Sequence, residues 1–145
     1  LGVVRHREVT FTIADVPGLI EGAADGLGLG HQFLRHIERC EVLVFVLSAT
    51  DVQPPAEALA VLRAELGKFD ADLLRRPAMV VLNKSDVLGP DAKAEAARLC
   101  VALQEPVLAI SAVTGQGTDE LLDALLPHVH DQQPVVVADT WDPKA

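Results

Sequence analysis

Asn83-Lys84-Ser85-Asp86 follows the apolar run Ala78-Met79-Val80-Val81-Leu82, so an amide, an ammonium and a carboxylate stand together just past a candidate strand. A carboxylate in that position can accept two hydrogen bonds from one planar partner with two adjacent N–H groups. The ring N–H and exocyclic amine of guanine are such a pair. Adenine presents a ring lone pair at the matching place and would leave the buried charge unpaired, a mismatch that hydrogen-bonding sites reject by roughly 10⁴–10⁵. The stem of Lys84 would lie along the base face, and the amide of Asn83 would hold neighbouring loops together. An ordinary polar turn after a strand explains the same four residues taken alone.

Two further strings fall in the order that a nucleotide site would need. Asp15-Val16-Pro17-Gly18 closes the strand-like Val9-Thr10-Phe11-Thr12-Ile13-Ala14. An Asp at that strand end can hold Mg²⁺ through water, and the Gly18 N–H can approach a terminal phosphate with no Cβ in the way. Downstream, Val107-Leu108-Ala109-Ile110 runs into Ser111-Ala112-Val113-Thr114-Gly115, where the Ala112 N–H is placed to donate to the guanine carbonyl. Three loops after three strands thus converge on one nucleotide. The candidate contacts are Asp15, Val16, Pro17, Gly18, Asn83, Lys84, Asp86, Ser111, Ala112 and Val113.

At this point the chain resembles the Obg family of GTPases. The resemblance is carried by Asp15-Val16-Pro17-Gly18-Leu19-Ile20-Glu21-Gly22-Ala23, then Gly26-Leu27-Gly28-Leu29-Gly30 and Phe33-Leu34-Arg35-His36-Ile37, and it extends over roughly 1–129. It implies a Ras-like P-loop GTPase fold, GTP and GDP as ligands, Mg²⁺ and a K⁺ ion as cofactors, and the large ribosomal subunit as partner. It also exposes a departure. Nowhere does the chain contain Gly-x-x-x-x-Gly-Lys-Ser/Thr, the loop whose amides cradle phosphates. The only Gly-Lys pair, Gly67-Lys68, precedes Phe69 inside a helical pattern. In such a fold Leu1-Gly2-Val3-Val4 would belong to the second strand, so the chain reads as a G domain without its first strand and phosphate loop. In the Ras-like order that strand lies mid-sheet, and its loss is expected to leave two unpaired strand edges.

The elements that must position these loops alternate between strand and helix. Residues 1–5 and 9–14 flank the polar Arg5-His6-Arg7-Glu8 and read as an antiparallel hairpin. Val42 to Leu47 is apolar throughout, as suits a strand covered on both faces. Pro54-Pro55 marks a helix start, with Leu59, Leu62, Leu66 and Phe69 at helical spacing. After the strand 78–82 comes a helix from about Pro90 with Ala96, Leu99, Cys100 and Leu103 on one side, then the strand 107–110. A last helix is expected from Thr118 through Leu121, Leu122, Leu125 and Val129, with the Thr118 hydroxyl as its cap. The class is α/β with a mainly parallel sheet and helices on both faces. Ligands of such sheets bind beyond the carboxyl ends of the strands. Residues 1–130 are expected to form the partial GTPase domain. For 131–145, a linker to a further domain and a packed strand at Val135-Val136-Val137-Ala138 are both open.

Composition limits the alternatives. The 145 residues suit one domain, and 50% hydrophobic content with only 3% aromatic leaves Ala, Val and Leu to fill the core. No apolar run reaches the ~18 residues of a membrane span, and the start lacks a signal-peptide pattern. Cys40 and Cys100 form neither a metal spacing nor a disulfide framework, so reduced thiols, a cytoplasmic location and a monomer are expected. Twelve basic against 21 acidic residues give a net charge of −9, which opposes a general nucleic-acid footprint. Local RNA contact is confined to His31, Arg35 and Arg39, spaced i, i+4, i+8 on one face of a predicted helix; a solvated helix face explains them equally. Gly26-x-Gly28-x-Gly30 has the wrong spacing for a dinucleotide fingerprint, and the next strand ends in Ser48-Ala49 without the required acid. A switch ordered by phosphate contact at Gly18 accounts better for the glycines.

Leu19 stands where Ras-like enzymes place the Gln that orients the attacking water. An apolar side chain cannot align a nucleophile. Slow intrinsic GTP hydrolysis is therefore expected of the complete domain, acting as a switch in large-subunit assembly. Glu21 is either a water-positioning group or a solvated switch residue. For this chain alone the alternative is a guanine-binding or structural fragment without turnover.

Overall fold

The computed structural model describes residues 2–16, 39–50, 53–129 and 134–139. Six strands form one sheet: β1 (Gly2–His6), β2 (Val9–Val16), β3 (Val42–Ser48), β4 (Ala78–Asn83), β5 (Val107–Ala109) and β6 (Pro134–Asp139). Their order is β1-β2-β6-β3-β4-β5. Only the β1–β2 hairpin is antiparallel; every other pairing is parallel. The described helices are α1 (Pro55–Phe69), α2 (Ser85–Leu88), α3 (Ala92–Leu103) and α4 (Thr118–Leu125). A mixed, mostly parallel sheet with helices is the predicted α/β class.

Alternation along the strands builds two cores. Leu43, Phe45 and Leu47 of β3 point to one face with Val80 and Leu82 of β4 and Val136 and Ala138 of β6, where Leu59, Leu62 and Leu66 of α1 and Leu99 of α3 cover them. Val42 and Val44 point to the other face with Phe11, Val81 and Val135, against Leu125 of α4. A Leu or Phe buried this way contributes about 1.5–3 kcal/mol. The Arg63 guanidinium lies 5.4 Å from the centroid of the Phe45 ring and pairs with Glu105 at 2.5 Å, joining α1 to the end of α3.

β6 changes the expected picture of the sheet. Instead of two open edges between β2 and β3, Val135–Ala138 run parallel to both, with Ile13 level with Val135 and Leu43 level with Val136. The reason is main-chain satisfaction. Each buried N–H or C=O left unpaired in that gap would cost about 1–3 kcal/mol, and an apolar extended segment removes the deficit. The described edges of the sheet are β1 and the three-residue β5.

Local chemistry sets other boundaries. Arg7 and Glu8 both have positive φ, 49° and 67°, the backbone that a two-residue hairpin turn demands. The last helix stops earlier than its apolar pattern, at Leu125, and passes into a 3-10 turn over Leu126–His128. Pro127 has no N–H with which to continue it. Thr118 does not cap that helix as expected: its hydroxyl donates to the Gly115 carbonyl at 2.7 Å, and Gly117 occupies the cap position. Both cysteines are free, Cys40 buried and Cys100 half-buried, and burial pushes the Cys40 thiol up to about 11. No described helix is long and apolar enough to cross a membrane.

The hairpin turn is tied to α4 through Asp123. Its Oδ1 lies 2.7 Å from His6 Nε2 and 2.6 Å from Arg7 Nε, and its Oδ2 accepts from Arg7 Nη2 at 3.2 Å. The His6 hydrogen bond, then that of Arg7, holds the Asp123 carboxyl below its ordinary 3.8. Folding therefore favours the ionised acid. Its contribution is complete above the ordinary aspartate pKa and is lost as pH falls through the lower native value. Asp123→Asn is accordingly expected to lower the melting temperature near neutral pH, with the gap to wild type closing in acid below the native pKa. A gap that persists unchanged there would count against the ion pair.

Candidate functional site

At the carboxyl end of the parallel strands, two loops are bonded to each other. β4 delivers the first, residues 83–86; β5 delivers the second, residues 110–117. The backbone stitches them: Ile110 N donates to Leu82 O at 2.9 Å, and Ser85 N to Ile110 O at 3.0 Å. On the other side, Ala49 N donates to Asn83 O at 3.1 Å, which anchors the same loop to the end of β3.

Lys84 sits between these anchors with φ 65° and ψ 31°. A left-handed backbone costs a non-glycine residue about 1–2 kcal/mol, and the flanking main-chain bonds hold it there. The resulting sharp reversal turns Asn83 toward the 110–117 loop, leaves Lys84 exposed and starts α2 at Ser85.

Side chains complete the junction. Asn83 Oδ1 accepts from Ala112 N at 3.0 Å, so the Asn83 amide clasps the facing loop as the sequence suggested. The single hydrogen of that amide is thereby directed at Asn83, and a guanine carbonyl has to share or replace the bond. Ser111, fully buried, donates through Oγ to Asp86 Oδ1 at 2.9 Å and accepts from Thr114 N at 3.2 Å. One carboxylate oxygen of the exposed Asp86 is thus fixed by a neutral donor. These bonds set the loop geometry. By contrast, the contact from Lys84 Nζ to Thr50 Oγ1, 3.4 Å long and exposed, is too weak to fix the lysine.

Sequence reasoning missed Thr50 and Gly117. Thr50 follows β3, its hydroxyl 3.1 Å from Ser48 Oγ; the hydroxyls of Ser48 and Thr50 beside a strand end were the available signal. Gly117 has φ 78°, and a Cβ there would lie 2.5 Å from Ala109 O. Only its glycine identity pointed to it.

The remaining predicted residues are placed unequally. Asn83, Lys84, Asp86, Ser111, Ala112 and Val113 meet in the two loops, Val113 being 88% exposed. The backbones of Asp15 and Val16 end β2, level with Val137 and Ala138. This is the same sheet edge, since β2, β6, β3 and β4 are parallel. Three strand spacings separate β2 from β4, about 14 Å. Pro17, Gly18, Leu19, Glu21, the glycine run, His31 and Arg35 lie outside the described residues; Arg39 is exposed just before β3. Among the described residues no three His, Cys, Asp or Glu side chains gather around a point that could hold a metal. The described side chains alone do not make a metal centre.

A family model described as 50S ribosome-binding GTPase matches residues 1–84. The chain is 52% identical over 125 residues to GTPase Obg of Syntrophomonas wolfei, covering 84% of this chain and 29% of that protein. This chain belongs to the Obg family of GTPases. It is also similar to GTPase Obg of Anaeromyxobacter dehalogenans strain 2CP-1, at 47% identity over 133 residues, covering 86% of this chain and 37% of the relative. To its Novosphingobium aromaticivorans counterpart it is 45% identical over 130 residues, 89% of this chain and 37% of the relative. The chain thus spans between about three tenths and two fifths of the length of these Obg relatives.

Two substitutions separate steric from conformational demands in the 110–117 loop. Gly115 has φ 84° but open space around a Cβ, whereas Gly117 meets backbone. Gly115→Ala should cost about 1–2 kcal/mol, and Gly117→Ala clearly more, as measured by urea midpoints at unchanged slope. Ser111→Ala strips partners from Asp86 and from the Thr114 N–H, and a loss of about 1–3 kcal/mol is expected.

Proposed function

We propose that this chain is the guanine-reading portion of a GTP-hydrolysing domain. The observation that carries the reading is the clasped pair of loops, in which Asn83 holds Ala112 and Ser111 holds one oxygen of Asp86. The carboxylate is presented on a rigid turn, beside an exposed lysine whose stem can cover a flat base. Guanine's two adjacent N–H groups fit that acceptor and adenine's do not.

The phosphates of the same nucleotide would extend along the sheet edge toward Asp15 and Gly18, a distance of the same order as the separation of β4 from β2. Mg²⁺ near Asp15 would draw most of its oxygen ligands from phosphates and water, and K⁺ would assist from a phosphate-loop residue that this chain does not contain. With Leu19 in place of a water-orienting Gln, intrinsic turnover of the complete domain is slow and depends on a group supplied from elsewhere. The description of the matching family as 50S ribosome-binding supports a partner role for the large ribosomal subunit, in which nucleotide state governs docking. His31, Arg35 and Arg39 are the local cationic contacts for its RNA.

Calorimetric titration of GDP and ADP, into this chain and into a version extended upstream by a strand and phosphate loop, tests the proposal. The extended version should bind GDP far more tightly than ADP. This chain should bind weakly, with nearly equal affinity for GTP, GDP and GMP, because phosphate contacts are missing. An extended version that binds neither nucleotide, or both equally, refutes the assignment. Reversing the charges of Arg35 and Arg39 should weaken binding of the full protein to 50S particles.

A further inference from the structure

β6 holds the central place in this sheet although it is the last strand in the chain. Its pairing is two-sided: Thr12 to Val16 face Pro134 to Ala138 on one flank, and Val42 to Val46 face Val135 to Asp139 on the other. What that position demands is generic. The bonds are main-chain bonds, and the side chains that fill the slot are Val135, Val136 and Ala138, small apolar groups buried to within 1%. Any extended segment that runs parallel with similar small apolar residues satisfies the same groups.

The slot also has a functional direction. Its carboxyl end opens on the edge where β2 ends at Asp15-Val16, β3 at Ser48 and β4 at Asn83. Whatever follows the occupying strand is therefore delivered between the Asp15 loop and the guanine-reading loops. β6 ends there in Asp139, and an acidic residue repels phosphate. The occupant that suits this edge is an apolar strand ending in a glycine-rich, lysine-bearing phosphate loop.

We propose that the gap between β2 and β3 is an exchangeable strand-acceptor slot, in which β6 is a stand-in that a strand carrying Gly-x-x-x-x-Gly-Lys-Ser/Thr displaces. This rests on the GTPase reading above. β6 docking and phosphate binding then exclude one another. Main-chain pairing is about equal for the two occupants, but only the incoming strand gains from nucleotide: a ligand at 100 times its Kd shifts the equilibrium about a hundredfold. Once released, residues 131–145 are free to serve as a linker to a further domain.

Hydrogen exchange of the intact 145-residue chain is the first test. A displaceable β6 opens without global unfolding, so the amides of Val135 to Ala138 should exchange at least about tenfold faster than those of Phe45 to Leu47. Equal rates on the two strands would overturn the proposal. The second test uses the chain extended upstream by an apolar strand and phosphate loop, with Mg²⁺ and GDP. There β6 should lose protection more than about tenfold while β3 keeps it, and β6 still protected in the nucleotide-bound protein would overturn exclusion. In the same extended chain Val136→Lys, which penalises β6 docking alone, should leave GDP affinity unchanged or raised; a weakened affinity counts against displacement. An extended chain that sheds β6 yet binds ADP as well as GDP would retain the strand exchange and remove the guanine reading.

Discussion

The pairing of β3 on both of its edges is the constraint from which the rest of the structure follows. Its seven residues are apolar on both faces, so it cannot lie at a sheet margin without exposing a core surface as well as unpaired main chain. β4 satisfies one edge and β6 the other. With β3 fixed, α1 and α3 settle on Leu43, Phe45 and Leu47, and α4 settles on Val42 and Val44. The ends of β3, β4 and β2 are brought to one line.

That line explains why so few side chains suffice to shape the site. The strands place Asn83 and Ser111 with their backbones already in register, through the bonds of Ile110 to Leu82 and Ser85 to Ile110. Asn83 and Ser111 need only close a short remaining gap. The strain at Lys84 is tolerable for the same reason, since about 1–2 kcal/mol is small beside several main-chain bonds and a buried serine network. A rigid acceptor at Asp86 is what selectivity between bases requires, because a mobile carboxylate would accommodate the wrong partner.

Much of the architecture was legible in the residues. Pro54-Pro55 announced α1, the continuous apolar run announced β3, and the polar turn at Arg7-Glu8 announced the hairpin, because each rests on local chemistry. The guanine-reading loops were legible because hydrogen-bonding residues beyond strand ends have few other uses. Three features were not. The central place of β6 is a non-local outcome: Val135 to Ala138 advertise a strand but not its neighbours, and the vacancy that draws them in is a property of the whole sheet. The Thr118 hydroxyl turned to the Gly115 carbonyl because Gly117, with its left-handed backbone, had taken the cap. Gly117 itself is dictated by a single close approach to Ala109 O, which no spacing in the chain encodes.

The position of β6 has an optical consequence. The chain contains one tryptophan, Trp141, and no tyrosine. That indole stands two residues beyond Asp139, the last residue of the strand. Near-ultraviolet emission from this molecule therefore originates from one place, covalently attached to the segment that completes the sheet, and the native sequence already carries a fluorophore at the end of its central strand.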